Sequence, residues 1–523
     1  MRSLNNKTKE VVVDMPKNLN TYLGQKGYTV LKSELTIKQL TFIKEQLTVK
    51  PYVPGSPVQL EKSFPAYRES DKKLYLPRYY GDEIFGPAAQ YKLTEGVDTN
   101  IKFEGTLRPE QEPVVSMFLQ HVLSGGGGLL ELPCGFGKTS ISLYIWSQLK
   151  KKTIVIVHKE FLMNQWIERI QQFLPTAKIG KIQGQIIDIE GKDIVLCMLQ
   201  SLSMKDYPSS LFDSFGLTII DEVHHISSEV FSNALFKLVT KYTLGLSATM
   251  NRSDGTTKVF KMFLGPVVYK KERSKDEKVI VRGITFQTND EEYNELLLDF
   301  RGKPASSKML SKICEYNRRT EFILSVLKDM LAENPKQQIM VIASYKNILQ
   351  YIFEAINHRN MATVGFYVGG MKEAALKLTE SKQVVLATFA MASEGLDIKS
   401  LSTLFMVTPM TKIEQSVGRI LRQKHEFNPV VVDIIDAHAN FQRQWLKRKT
   451  FYKSQNYKII QTTSSTYNPD STKWKVTYEP TDQTQKKIDK KEVKDDSSES
   501  DPDPSDEEEE TKNVGKCLLK FKK

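Results

Sequence analysis

Cysteine is scarce in this chain: Cys134, Cys197, Cys314 and Cys517 stand far apart, with no Cys-x-x-Cys pair. That spacing excludes a disulfide-stapled scaffold, a zinc ribbon and a cysteine-held iron–sulfur cluster. No uninterrupted apolar run approaches the ~18 residues that a membrane-spanning helix needs, so no membrane partner is expected. The opening stretch, MRSLNNKTKEVVVDMPKNLN, lacks the apolar segment of a secretory signal. A soluble, intracellular protein is expected, in the nucleus or, for a viral chain, in the host cytoplasm or virion.

What is present is length and positive charge. The 523 residues are enough for two to four domains of roughly 100–200 residues each. The net charge is +12, yet residues 495–510 read DDSSESDPDPSDEEEE, ten acids without a base. The rest of the chain is therefore more basic than the total, a footprint suited to a polyanion, although solubility alone also rewards charge.

Residues from about 486 to 515 are lysine-rich and then acidic, with little apolar content, and are expected as a disordered tail. Between Leu129 and Ile435 short apolar runs rich in β-branched residues alternate with helix-like stretches. The runs are LLEL, TIVIV, DIVLCM, LTII and YTLGLS, then IMVIAS, VVLAT, TLFMVT and VVVDII. Such runs read as buried parallel strands, so two α/β domains follow, with 273–308 as the linker. The expected boundaries are 1–100 for a small N-terminal α+β domain, 101–272 and 309–460 for the two α/β domains, and 461–523 for an extension ending in the tail. Ahead of them, Ser33 is expected to cap a helix bearing Ile37, Leu40, Ile43 and Leu47. FPAYRE, SDKK and LYLPRYYG read as a hairpin. Its Tyr67, Arg68, Lys72, Lys73, Tyr75, Arg78, Tyr79 and Tyr80 interleave as a nucleic-acid stacking surface does, or as ordinary strand packing does.

After LLEL comes Pro133, Cys134, Gly135, Phe136, Gly137, Lys138, Thr139 and Ser140, opening a helical stretch. Small residues there let backbone N–H groups converge on phosphates at a helix N-terminus. Lys138 would reach the β- and γ-phosphates and Thr139 would coordinate Mg²⁺. Leu132 stands where the usual pattern has its first glycine. Asp221 and Glu222 end the LTII run; Asp221 suits a water-mediated Mg²⁺ contact and Glu222 suits activation of the attacking water. Ser247, Ala248 and Thr249 end the YTLGLS run. Each piece alone fits a plain turn or strand end; in this order and spacing they read as one ATPase sheet.

These residues resemble a known family. Asp221-Glu222-Val223-His224 resembles the DExH box of superfamily 2 helicases, ATFAMASEGLDIKSL their motif V, and QSVGRILRQ their motif VI. SATMNRSDG resembles the SATPxRxDG signature of the XPB-like branch, which includes the poxvirus transcript-release helicase and relatives in other large DNA viruses. Met250 replaces the usual proline. The resemblance runs from about Thr106 to Ala437 and implies two tandem RecA-like domains using ATP and Mg²⁺.

By that resemblance Gln111 recognises adenine, and Arg419 and Arg422, three apart on one helix face, act as arginine fingers. Gly395, Asp397 and Gln415 complete interdomain contacts. His224, Ser247 and Thr249 couple hydrolysis to motion, and His158, Lys159, Gln200 and Thr388 touch nucleic acid. His225 is expected to pack. The implied activity is movement on, or unwinding of, DNA, ahead of RNA, by a monomer engaging transcription or repair machinery through its termini. Two other classes remain beside it. A nuclease motor needs an extra carboxylate set that neither flank offers, and a non-catalytic binding factor would have lost Lys138, Asp221, Glu222 or Arg422.

Overall fold

The computed structural model describes residues 13–17, 19–51, 63–226, 228–250, 255–272, 278–300, 302–394, 396 and 398–480. The expected acidic tail lies outside them. The chain divides into two compact units, Met1–Glu272 and Arg273–Lys523.

The first unit begins with a five-stranded sheet in the order β5-β6-β2-β1-β7. Its strands are β1 (Tyr22–Gly24), β2 (Gly27–Leu31), β5 (Arg68–Glu69), β6 (Lys73–Leu76) and β7 (Gln90–Tyr91), while β3 (Thr48–Val49) pairs with β4 (Phe64–Pro65). The helix Ile37–Gln46 is capped by Thr36 rather than Ser33: Gln39 N donates to Thr36 Oγ1 at 3.3 Å and Thr36 N to Gln39 Oε1 at 2.9 Å, a reciprocal capping box. Ser33 lies in a short turn, and Ile37, expected on the apolar face, is 84% exposed.

The hairpin is shorter than its aromatic sequence implies. β5 and β6 pair across the SDKK turn, but Pro77 has no N–H to continue a ladder and the chain winds into the helix Arg78–Phe85. Gly81 is required there, since a Cβ would lie 2.2 Å from the Tyr28 ring. Arg78 and Tyr80 are buried, which removes both from any nucleic-acid surface; Arg78 donates to the Lys241 carbonyl at 2.8 Å. Tyr28, Leu76 and Tyr80 share one apolar cluster with Ile156, Phe236 and Phe260, so these N-terminal elements and the following sheet are packed together.

That sheet runs β11-β10-β12-β9-β13-β14-β8-β15. The strands are β8 (Gly127–Glu131), β9 (Thr153–Val157), β10 (Ile179–Gln183), β11 (Ile186–Asp188), β12 (Ile194–Met198), β13 (Leu217–Ile220), β14 (Tyr242–Ser247) and β15 (Val267–Lys270), all parallel to their neighbours except β11. The second unit's sheet runs β18-β19-β17-β20-β21-β16-β22-β23. Its strands are β16 (Ile280–Phe286), β17 (Gln338–Ala343), β18 (Val364–Tyr367), β19 (Val384–Thr388), β20 (Leu401–Met406), β21 (Val430–Asp436), β22 (Lys458–Thr463) and β23 (Lys475–Tyr478). Only β23 is antiparallel to its neighbour. Both units are RecA-like. Two expected boundaries are corrected: β16, inside the expected linker, lies between β21 and β22, and β22 and β23 carry the sheet beyond residue 460.

Candidate nucleotide-binding and hydrolysis site

Parallel strands gather their following loops at one edge, where ligands of open α/β sheets bind. β14 lies between β8 and β13, with Ser247 paired to Glu131 and Gly245 to Ile220. The turn after β8, the acids after β13 and the hydroxyl ending β14 are therefore neighbours.

In the turn after β8, Gly135 and Gly137 adopt φ of 80° and 84°, which favours glycine. Gly137 precedes the helix Lys138–Leu149, whose Ser140 hydroxyl donates to the Gly137 carbonyl at 2.9 Å. A Cβ on Gly137 would lie 2.4 Å from Gln111 Nε2. Leu132, in the missing glycine's place, is wholly buried.

Lys138 Nζ meets Glu222 Oε1 at 3.0 Å, with the two side chains 11% and 18% exposed. Burial pulls the Lys138 ammonium's pKa down, but the charge of Glu222, then of Cys134 and Asp221, outweighs it, so the net displacement is upward and the lysine stays charged. Asp221 is 7% exposed and accepts from Trp166 Nε1 at 2.9 Å and from the Glu222 amide at 2.9 Å. Burial first, and the charge of Glu222 second, push its carboxyl up to about 6.

Glu222 sits at φ 48°, ψ 51°, the left-handed region that a non-glycine residue occupies only against a cost. Its Oε2 lies 3.4 Å from His224 Nδ1, which is 2.7 Å from Ser247 Oγ. The Ser247 hydroxyl donates its proton to the Thr249 carbonyl at 2.5 Å and accepts from the Thr249 amide, so it takes the Nδ1 proton of His224. Lys138, Glu222, His224 and Ser247 thus form one polar chain across the loop edge.

Gln111, 3% exposed, donates from Nε2 to the Phe136 carbonyl at 2.7 Å and accepts from the Arg108 amide at 2.9 Å. Arg108 donates to the carbonyls of Phe136 and Gly135 and lies over the Phe136 ring. Trp166 carries no signal in the sequence, and Arg108 carries only its place three residues before Gln111. His158 and Lys159 follow β9, Gln200 follows β12, and the Gln200 amide donates to the His158 carbonyl at 3.0 Å; Thr388 ends β19 of the second unit.

Motif VI differs from expectation. Its helix is Glu414–Arg419, with Gln415 in the first turn, and Arg422 lies beyond it, so Arg419 and Arg422 do not share a helix face. Arg419 is 6% exposed and donates to the carbonyls of Ala392 and Leu396 at 2.7 and 2.9 Å. These bonds fasten the motif V segment. Gly395 and Asp397 lie outside the described residues.

The residues present fit a nucleotide: a buried cation, a glycine-shaped turn at a helix N-terminus, a hydroxyl on Thr139 and a carboxylate on Asp221. Among the described residues no three His, Cys, Asp or Glu side chains form a metal cage. Among the same residues no helix is long and apolar enough to cross a membrane.

Residues 104–252 match the family "Type III restriction enzyme, res subunit". A protein of Acanthamoeba polyphaga mimivirus is 34% identical over 456 residues, 85% of this chain and 87% of that protein. One from African swine fever virus is 25% identical over 396 residues, 71% of this chain and 77% of its own. Both carry the name "Putative ATP-dependent RNA helicase". A third, from Invertebrate iridescent virus 6 and named a helicase, is 26% identical over 383 residues, 68% of this chain and 84% of its own. The chain belongs to this family of superfamily 2 helicases and is a nucleic-acid-dependent ATPase.

Proposed function

We propose that the chain couples ATP hydrolysis to translocation on, or unwinding of, DNA in transcription or repair. The observation that carries the hydrolytic half is the polar chain Lys138, Glu222, His224, Ser247. Lys138 exchanges its contact with Glu222 for the β- and γ-phosphates, and Glu222, freed of the cation, orients and deprotonates the attacking water. Mg²⁺, when bound by Thr139 and through water by Asp221, neutralises charge on the phosphates. Trp166 holds the Asp221 carboxylate in place. His224, touching both Glu222 and Ser247, passes the state of Glu222 to the loop that Ser247 and Thr249 begin. His158, Lys159, Gln200 and Thr388 take phosphate contacts, which position a strand without reading its sequence.

The DNA reading rests on the XPB-like form of the segment after Ser247. An RNA reading is favoured by the names of the mimivirus and African swine fever virus relatives. Steady-state hydrolysis with duplex DNA, single-stranded DNA or single-stranded RNA, with Lys138→Ala as blank, separates the two. Stimulation by DNA is expected; stimulation by RNA alone moves the chain to the RNA class, and no stimulation by any of them overturns the motor reading.

A further inference from the structure

The five-stranded N-terminal sheet has two unlike faces. Leu23, Tyr28, Val30, Leu74 and Leu76 point into the core. Cross-strand pairs put the alternate residues in one row on the other face: Arg68 opposite Tyr75, Tyr75 opposite Thr29, Thr29 opposite Tyr22, and Tyr22 opposite Gln90. Lys73 shares that face by the two-residue period of a strand. Tyr22 and Tyr75 are half-buried, and Lys26 and Lys92 exposed.

Three lysines converge on the two rings. Lys26 Nζ is 5.4 Å from the Tyr75 ring centre; Lys73 and Lys92 are 5.3 and 4.3 Å from that of Tyr22, and Lys73 also donates to the Tyr22 hydroxyl at 3.1 Å. No acidic residue stands on this face of the five strands. Thr29, between the two rings in that row, is 1% exposed, so the half-buried rings rather than the strand between them carry the contact. Aromatic rings on a sheet face, ringed by cations of one sign, match extended nucleic acid, whose bases stack and whose phosphates are anionic. Tyr22 and Tyr75 are two strand spacings apart, about 10 Å. A duplex hides its base faces and cannot use them.

We propose that this face binds single-stranded nucleic acid, stacking bases on Tyr22 and Tyr75 and holding phosphates with Lys26, Lys73 and Lys92. The proposal rests on the reading that the chain works on nucleic acid. It replaces most of the set that the sequence offered: Arg78 and Tyr80 are interior, and Arg68 is engaged with Asn233 and the Phe236 ring.

The test is fluorescence anisotropy of labelled oligothymidylate and oligouridylate with the full-length chain and no nucleotide; the better-bound probe separates a DNA from an RNA ligand. Tyr22→Leu with Tyr75→Leu is expected to weaken binding about tenfold or more per ring, and the Phe versions to retain it. Lys26→Gln, Lys73→Gln and Lys92→Gln together are expected to flatten the slope of log affinity against log salt by about 2. In both, hydrolysis without nucleic acid is expected to hold. Unchanged affinity and slope in both variants, with near-UV circular dichroism like the parent's, overturn the platform, as does a parent chain that binds neither probe. Loss of binding in the variants of a chain whose hydrolysis no nucleic acid stimulates upholds the platform and overturns the motor reading alone.

Discussion

Glu222 is held in a left-handed backbone conformation that costs of order 1–3 kcal/mol for a side chain of its kind, and it meets both Lys138 and His224. Glu222→Gln keeps the shape and one acceptor while removing the charge. It is expected to lower the hydrolysis rate by about 10²–10⁴-fold and to leave fluorescent-nucleotide binding intact; equal loss of both in single-turnover and titration experiments contradicts this role. A second carboxylate affects stability instead. Burial pushes Asp82 up to about 6, with Arg78 opposing, so between the unfolded carboxyl's pKa near 4 and 6 the folded chain holds the extra proton and loses stability as pH rises. Asp82→Asn is expected to raise the melting temperature by about 2 °C at pH 7.5, a gain of ~1 kcal/mol after solvent screening, and to change nothing at pH 4. Equal melting shifts at both pH values would show that the charge is not the cause. Lys138, Asp221 and Glu222 were legible because loop chemistry fixes their spacing. Trp166 was not, because its bond to Asp221 spans 55 positions and only the packing of β9 beside β13 creates it.

At the scale of elements, all nine apolar runs became parallel strands. β16 escaped because its IVRGITF run is broken by Arg282, a charge that hydropathy reads as surface. In the fold Arg282 is 6% exposed and its guanidinium makes two bonds to Glu333, at 2.6 and 2.7 Å. β21 carries two such buried devices. Asp436 accepts from Arg319 at 2.5 and 2.9 Å and from the Tyr293 hydroxyl, while Asp433 accepts from Arg448 at 2.7 and 2.8 Å and from the Tyr452 hydroxyl. The same guanidiniums donate to the Val407 and Met410 carbonyls, pinning the chain that leads from β20 to the motif VI helix. Arg448→Met leaves Asp433 buried without its cation and is expected to cost ~3–5 kcal/mol; adding Asp433→Leu is expected to restore most of it. Urea unfolding of the transition belonging to the second unit measures both. A double variant as unstable as the single would mean that the Met410 carbonyl bond, not the lone charge, matters most.

Across the whole molecule the governing quantity is charge. The +12 total conceals ten acids within residues 495–510 and a correspondingly more basic remainder. A basic surface gains affinity for nucleic acid mainly by releasing counterions from phosphates. A tethered acidic run competes for that surface as an intramolecular polyanion, with an effective concentration set by the length of its tether. Deleting residues 495–510 is therefore expected to tighten binding of single-stranded DNA several-fold at 50 mM salt and to make little difference at 0.5 M, where the Debye length falls to about 4 Å. Anisotropy titrations of the full-length and deleted chains across that range measure it. Tightening that persists at high salt would exclude electrostatic competition and mean that the run occludes the site by contact. Identical curves at both salts would mean that the acids never meet the basic surface.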